Sequence, residues 1–171
     1  MAMPRKLKHF NLFNEGNSYM GVASSITLPK MTRKLEAWRG AGMDGPVKVD
    51  LGFGDDGIQF EWTLGGWDLT ALKQFGAVSA NGVGLRFAGS VQQDDTAEII
   101  PVEVVVRGRH EEVDFGESKA GEDTEHKMIT ACNYYKLVVD GEEVIEIDLI
   151  AMIFKVDGND MLEEHRKNIG L

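Results

Sequence analysis

Ile58-Gln59-Phe60-Glu61-Trp62-Thr63-Leu64 decides the fold class. Ile58, Phe60, Trp62 and Leu64 share one parity and Gln59, Glu61 and Thr63 the other, the signature of a strand with one face buried. The pattern spreads outward. Leu85, Phe87 and Val91, and then Ile100, Val102, Val104 and Val106, repeat it. Phe10 to Val22 reads as a strand pair about the turn cluster Asn14-Glu15-Gly16-Asn17. Strands with one apolar face and short connections are antiparallel candidates. Asp140-Gly141 is the strongest hairpin signal. A two-residue turn there, extended without interruption, places Leu137 opposite Val144, Tyr135 opposite Glu146 and Asn133 opposite Asp148. It also sets Tyr134 against Ile147 and Cys132 against Leu149 on the core face. Asp114 to Asp123 is a polar loop between long strands.

Helix is sparse. Asp68 is placed to cap one helix, with Trp67 and Leu72 as a staple across the cap and Leu69, Leu72 and Phe75 as its apolar stripe. A second, short helix is expected after Asp160, with Glu163 at the capping-box position and Arg166 and Lys167 where the dipole favours cations. The expected architecture is mainly β: an antiparallel β-sandwich or barrel with one packed α-helix. It forms a single domain over 1–171 from which an extended basic, glycine-rich arm projects at about 28–47.

The composition, 43% hydrophobic and 27% charged, is that of a soluble globular protein, and 171 residues suffice to bury roughly 70% of the unfolded surface. No apolar run approaches the ~18 residues of a membrane span, so no membrane insertion is expected. No apolar export core follows the first cations either. The one cysteine, Cys132, excludes an internal disulfide, suits a reducing cytoplasm and reads as a small buried strand residue. The net charge of −10 is unevenly placed: residues 1–39 carry +5 and residues 40–171 carry −15. Such a split allows head-to-tail attraction between copies, or equally the folding of the basic third onto its own acidic body.

The arm concentrates this asymmetry. Lys30, Arg33, Lys34 and Arg39 face a single anion, Glu36, and Gly40-Ala41-Gly42-Met43-Asp44-Gly45-Pro46 suits neither a helix nor an ordinary strand. An acidic, alternating stretch follows. The segment is expected to be mobile in a free subunit and ordered between subunits.

Catalytic signals are weak. Gly52-Phe53-Gly54-Asp55-Asp56-Gly57 matches a dinucleotide-binding pattern in its letters, but a strand follows it and its aspartates repel phosphate, so it reads as a turn. His9, His110, His126 and His165 lack metal-ligand spacing. The acidic pairs Asp55-Asp56, Asp94-Asp95, Glu111-Glu112 and Glu142-Glu143 alternate faces wherever they lie on strands. Asp157-Gly158-Asn159-Asp160 breaks the order of a calcium loop. No catalytic residue, cofactor or metal is expected. A small β-barrel enzyme or carbohydrate-binding module would require a pocket with convergent polar groups that the sequence does not display.

Short blocks in a fixed order carry a resemblance. They are Thr27-Leu28-Pro29-Lys30, Trp38-Arg39-Gly40-Ala41-Gly42-Met43-Asp44, Glu112-Val113-Asp114 through Lys119-Ala120-Gly121-Glu122, Tyr135-Lys136-Leu137 with Asp140-Gly141, Glu146-Ile147-Asp148, and Asn168-Ile169-Gly170-Leu171. Over nearly its whole length the chain resembles the major tail tube proteins of contractile-tailed phages and the related tube proteins of R-type pyocins. The resemblance implies a structural, non-enzymatic subunit of a virion tail, assembled in the bacterial host cytoplasm. Hexameric rings would stack into a hollow tube that conducts DNA from capsid to host without specific binding. It implies a tail sheath protein, a tape-measure protein, and baseplate and tail terminator proteins as partners. A DNA-free contractile system, a pyocin or type VI secretion tube, is the neighbouring alternative. Lys30, Arg33, Lys34, Arg39, Gly40, Gly42, Met43 and Asp44 are the expected inter-ring contacts. Glu146 and Asp148, on the hairpin face opposite the core, are candidates for the lumen wall, or alternatively for the contact with an adjacent subunit.

Overall fold

The computed structural model describes residues 2–171. Its elements are β1 (Arg5–Asn14), β2 (Asn17–Ser18), β3 (Ala23–Thr27), β4 (Arg33–Trp38), β5 (Val47–Phe53), β6 (Ile58–Leu64), α1 (Leu69–Gln74), β7 (Val83–Gln93), β8 (Ile99–Asp114), β9 (His126–Val139), β10 (Glu142–Asp148), β11 (Ile153–Val156), β12 (Asn159–Asp160) and α2 (Glu163–Asn168). The fold is mainly β with antiparallel sheets and two short helices. One large sheet runs β12-β11-β10-β9-β8-β7-β1-β2, with β6 and β3 branching from β9, while β4 and β5 pair only with each other.

The branch point explains the sandwich. The first half of β9, from His126 to Cys132, pairs with β6, and the second half, from Tyr134 to Val139, pairs with β10. Asn133, between them, is an extra residue: Arg107 of β8 faces Tyr134, while Gly108 faces Cys132. A bulge of this kind bends the strand and shifts its side-chain phase by one. Gly108 is obligatory at the bend, because a Cβ there would lie 2.0 Å from the Ala131 carbonyl oxygen. The two halves of the bent sheet thus close over one core. Phe60, Trp62, Leu64 and Met128 come from one half, and Leu12, Leu85, Val104, Val106 and Ile147 from the other. The stretch 58–64 alternates buried and half-buried throughout, as its pattern requires.

The Asp140-Gly141 turn forms with both residues at positive φ, 51° and 78°, the geometry of a two-residue hairpin. The register beyond it departs from expectation because Val144 bulges out of β10. Ile145 therefore faces Leu137, Glu146 faces Lys136, Ile147 faces Tyr135 and Asp148 faces Tyr134. The Val144 shift pairs Tyr135, not Tyr134, with Ile147, the Asn133 bulge turns Tyr135 into the core, and Leu149 is exposed in the next turn. The one inserted residue, Val144, accounts for every displaced pair of the hairpin.

Helix α1 forms behind Asp68, whose carboxylate accepts from the Ala71 N–H. Its expected apolar stripe is corrected. Ala71 is its one buried residue, while Leu69 and Phe75 are exposed. Trp67 packs its ring against His126 and Phe115, at centroid distances of 4.6 and 5.4 Å. The reason lies beneath the helix, where the sheet presents polar rather than apolar side chains. Helix α2 follows Asp160 as expected, but without the expected capping box: Leu162 is its N-cap, Glu163 opens the helix and no side chain caps it. Asp160 accepts from the Leu162 N–H and forms an ion pair with Arg166, which also donates to the Met152 carbonyl.

Candidate assembly surface

The expected arm is a β-hairpin that stands apart from the large sheet. Trp38 faces Val47, Ala37 faces Lys48, Glu36 faces Val49 and Leu35 faces Asp50. This register and the alternation of β5 place Trp38, Val47, Val49 and Leu51 on one face. Trp38 is 63% exposed and Leu51 58%, and among the described residues no other element covers either. Trp38, Ala37, Val49 and Leu51 line a shallow cleft there with Glu36. This apolar face is the part of the arm that charge reading passed over. The alternation Val47-x-Val49-x-Leu51 was its visible signal.

The expected contact residues are placed as follows. Arg33 pairs with Asp50 at 3.0 Å and lies 4.6 Å over the Phe53 ring and 5.2 Å from that of Phe154, so it fastens the root of the hairpin to the large sheet. Lys34 pairs with Asp55 at 3.3 Å. Arg39 donates to the Met43 and Asp44 carbonyls, and the Gly40 N–H approaches the Met43 sulfur at 3.0 Å, which closes the tip into a clamped turn with Gly42 at φ 81°. Lys30 lies in a cleft of about 220 Å³ with Leu28, Asp56 and Glu61 and makes no ion pair among the described residues. The return strand and the turn after it thus supply partners to two of the four cations. Arg5 and Lys8 are likewise paired, to Glu98 and Asp94. For four of its seven cations, the basic third folds onto acids of its own chain.

Glu146 and Asp148 lie half-buried on the outer face of β10, away from the core. Their neighbours differ from those expected. Glu146 stands in register between Lys136 and Lys155 and accepts from the Tyr134 hydroxyl at 3.4 Å. Burial, with the Glu146 carboxylate beside it, pushes the Tyr134 phenol up to about 12. Asp148 accepts from the Ile150 and Ala151 N–H groups and so holds the β10–β11 turn. The face carries alternating charge rather than a plain negative row.

The polar seat of α1 was not visible in the sequence. Trp62 Nε1 donates to Thr130 Oγ1 at 3.1 Å, and Thr130 lies 2.9 Å from His110 Nδ1. His110 Nε2 lies 3.2 Å from Gln74 Oε1. Gln74 and Asn14 exchange two amide hydrogen bonds at 2.7 Å, and Asn14 also donates to the Tyr19 hydroxyl. An amide oxygen only accepts, so His110 carries its proton on Nε2 and receives the Thr130 hydroxyl at Nδ1. Burial alone lowers His110 to about 4, which keeps it neutral. Five elements, β1, β6, α1, β8 and β9, meet in this one chain of bonds. Cys132 is buried in β9, and burial pushes its thiol up to about 12, the state of an inert core residue.

A bent β-sandwich carrying an unpartnered apolar hairpin defines a structural subunit of an assembly. Comparison gives that assembly its name: residues 4–170 match the family described as phage tail tube protein FII, and the chain belongs to it. The chain is similar to the tail tube protein of Escherichia phage P2, at 57% identity over the full length of both. It is also similar to the major tail tube protein of Serratia phage KSP20, at 39% identity over 94% of this chain and 92% of that one. It is a structural tail tube subunit and a component of the virion tail.

Proposed function

We propose that six copies of this chain close into a ring and that rings stack into the hollow tube through which phage DNA passes from capsid to host. The observation that carries this reading is the β4–β5 hairpin, an element with an apolar face that no other part of the described chain covers. Closing a ring also covers sheet edges that would otherwise invite random pairing. The finer assignments belong to the same proposal. The subunit is non-enzymatic and forms one domain over residues 1–171. The arm of Lys30, Arg33, Lys34, Arg39, Gly40, Gly42, Met43 and Asp44 is the contact between rings. A sheath protein, a tape-measure protein, and baseplate and terminator proteins are its partners, and assembly takes place in the host cytoplasm. The phage origin of both relatives favours a DNA-conducting tube over a DNA-free injection tube.

The outer face of β9, β10 and β11 is the proposed channel wall, with Glu146 and Asp148 on it. Carboxylates interleaved with lysines offer DNA no continuous cationic track, so phosphates slide rather than lodge. Electron microscopy of the purified chain across a concentration series tests the main reading. Rings or tubes are expected, and a chain that stays monomeric at millimolar concentration sinks it. Glu146→Lys tests the wall: tubes should form normally while phage infectivity falls. Loss of tube formation would instead place Glu146 between subunits.

A further inference from the structure

The sequence suggests a mobile arm, and the structure braces it. The β4–β5 hairpin joins neither edge of the large sheet. Two short links, 28–32 and 54–57, connect it to the body, and the second carries Gly54 and Gly57, the latter at φ 68°. Links of this kind leave an angle free. The Gly54 N–H donates to the Thr32 carbonyl at 2.9 Å, which ties the links to each other but not to the body. The contact that crosses to the body is aromatic. Phe154 of β11 meets Phe53, the last residue of β5, edge to face at 5.1 Å. The Arg33 guanidinium lies 4.6 Å over the Phe53 ring and 5.2 Å over that of Phe154, within cation–π range of both. Arg33 Nε donates to both carboxylate oxygens of Asp50, at 3.2 and 3.0 Å, which fixes the guanidinium there. Phe154 is itself held on three sides. Its strand pairs with β10, its carbonyl accepts from the Met161 N–H at 2.8 Å, and Arg166 of α2 donates to the Met152 carbonyl just before the strand at 2.7 Å. Both phenylalanines pack against the core.

We propose, on the reading of the chain as a tube subunit, that the Arg33–Phe53–Phe154 brace presets the angle of the hairpin in the free subunit, and that Arg33 and Phe154 thereby serve assembly as positioning residues. The length of the hairpin makes this angle matter. Strand geometry sets Arg39 ~20 Å from Arg33, so a tilt of ~15° at the root carries the tip by ~5 Å. That exceeds the ~3 Å span of a hydrogen bond. A hairpin free to tilt is in its competent pose only part of the time, and the concentration needed for assembly rises as the inverse of that fraction. A braced hairpin avoids this penalty, because its orientation is already fixed before a second copy arrives.

The experiment measures the hairpin's angle in the dilute, unassembled chain. Spin labels on Ala41→Cys at the exposed tip and on Val78→Cys, 89% exposed on the body, report one distance, while the buried Cys132 stays unlabelled. A single narrow distance distribution is expected, and a broad one in the parent chain overturns the proposal. Phe154→Leu keeps apolar bulk against the core but removes the ring, and Arg33→Lys keeps a charge for Asp50 but loses the planar stack. Each should widen the distribution at least ~2-fold while circular dichroism shows the fold retained. The Arg33 side chain is 36% exposed, so its variant tests the brace even where Phe154→Leu disturbs the core. An unchanged width in Arg33→Lys overturns the brace. Arg33→Lys should also need at least ~3-fold more protein to form tubes, and unaltered assembly by a widened variant overturns the positioning role. A parent chain that gives the narrow distribution yet forms neither rings nor tubes refutes the tube reading and leaves the brace standing, so the two failures are distinguishable.

Discussion

Acid should unfasten this protein at His110. The imidazole is 6% exposed and sits near 4 in the fold against 6.5 when free, a difference of 2.5 units. The sign follows from which state takes the proton. As pH falls through 6.5 the unfolded chain protonates this group and the folded chain does not, so stability present above 6.5 is lost progressively down to about 4. At 1.36 kcal/mol per unit the full loss is about 3 kcal/mol, of which about 2 kcal/mol has gone by pH 5. Depressed carboxylates also titrate in acid, among them Asp50, held low by Arg33, and Asp160, held low by Arg166. The assay is therefore a difference: urea unfolding of the dilute chain at pH 7, 6 and 5, beside His110→Gln, in which every other group is retained. The variant should lose about 2 kcal/mol less than the parent between pH 7 and pH 5. Parallel pH profiles would refute the assignment of His110 as the buried neutral link between Thr130 and Gln74.

Other outcomes follow from the same packing. Gly108→Ala should cost ~3 kcal/mol or more, since its Cβ would lie 2.0 Å from the Ala131 oxygen and the backbone must move, and a lowered melting temperature reads this directly. Gln74→Ala leaves the Asn14 amide and His110 Nε2 without their partner, an expected loss of ~2–4 kcal/mol, with faster amide exchange confined first to α1. Cys132 should resist thiol reagents in the folded chain and react once urea unfolds it; reaction at the folded state's full concentration would contradict its burial.

Much of this architecture is local and so was legible in the chain. The alternation at 58–64, the Asp140-Gly141 turn, the Asp68 cap and the helix after Asp160 each depend on residues a few positions apart, where backbone geometry and side-chain parity suffice. The family, too, could be read from blocks in order. Other features depend on residues distant in sequence. The bulges at Val144 and Asn133 shift register by one residue, and nothing in the strand itself marks an inserted position. The identity of the buried tyrosine, and the neighbours of Glu146, turned on that single step. Helix α1 reads as apolar, yet it docks through Ala71 and Gln74, because Asn14, His110 and Thr130 converge beneath it from three strands. The cations of residues 1–39 suggest an adhesive arm, but Asp50 and Asp55 return beside Arg33 and Lys34 and neutralise them. Local pattern determined which segments are strands and which face of each is apolar. Tertiary structure decided register, polar seating and charge pairing, because each depends on groups that only the folded chain brings within hydrogen-bonding range.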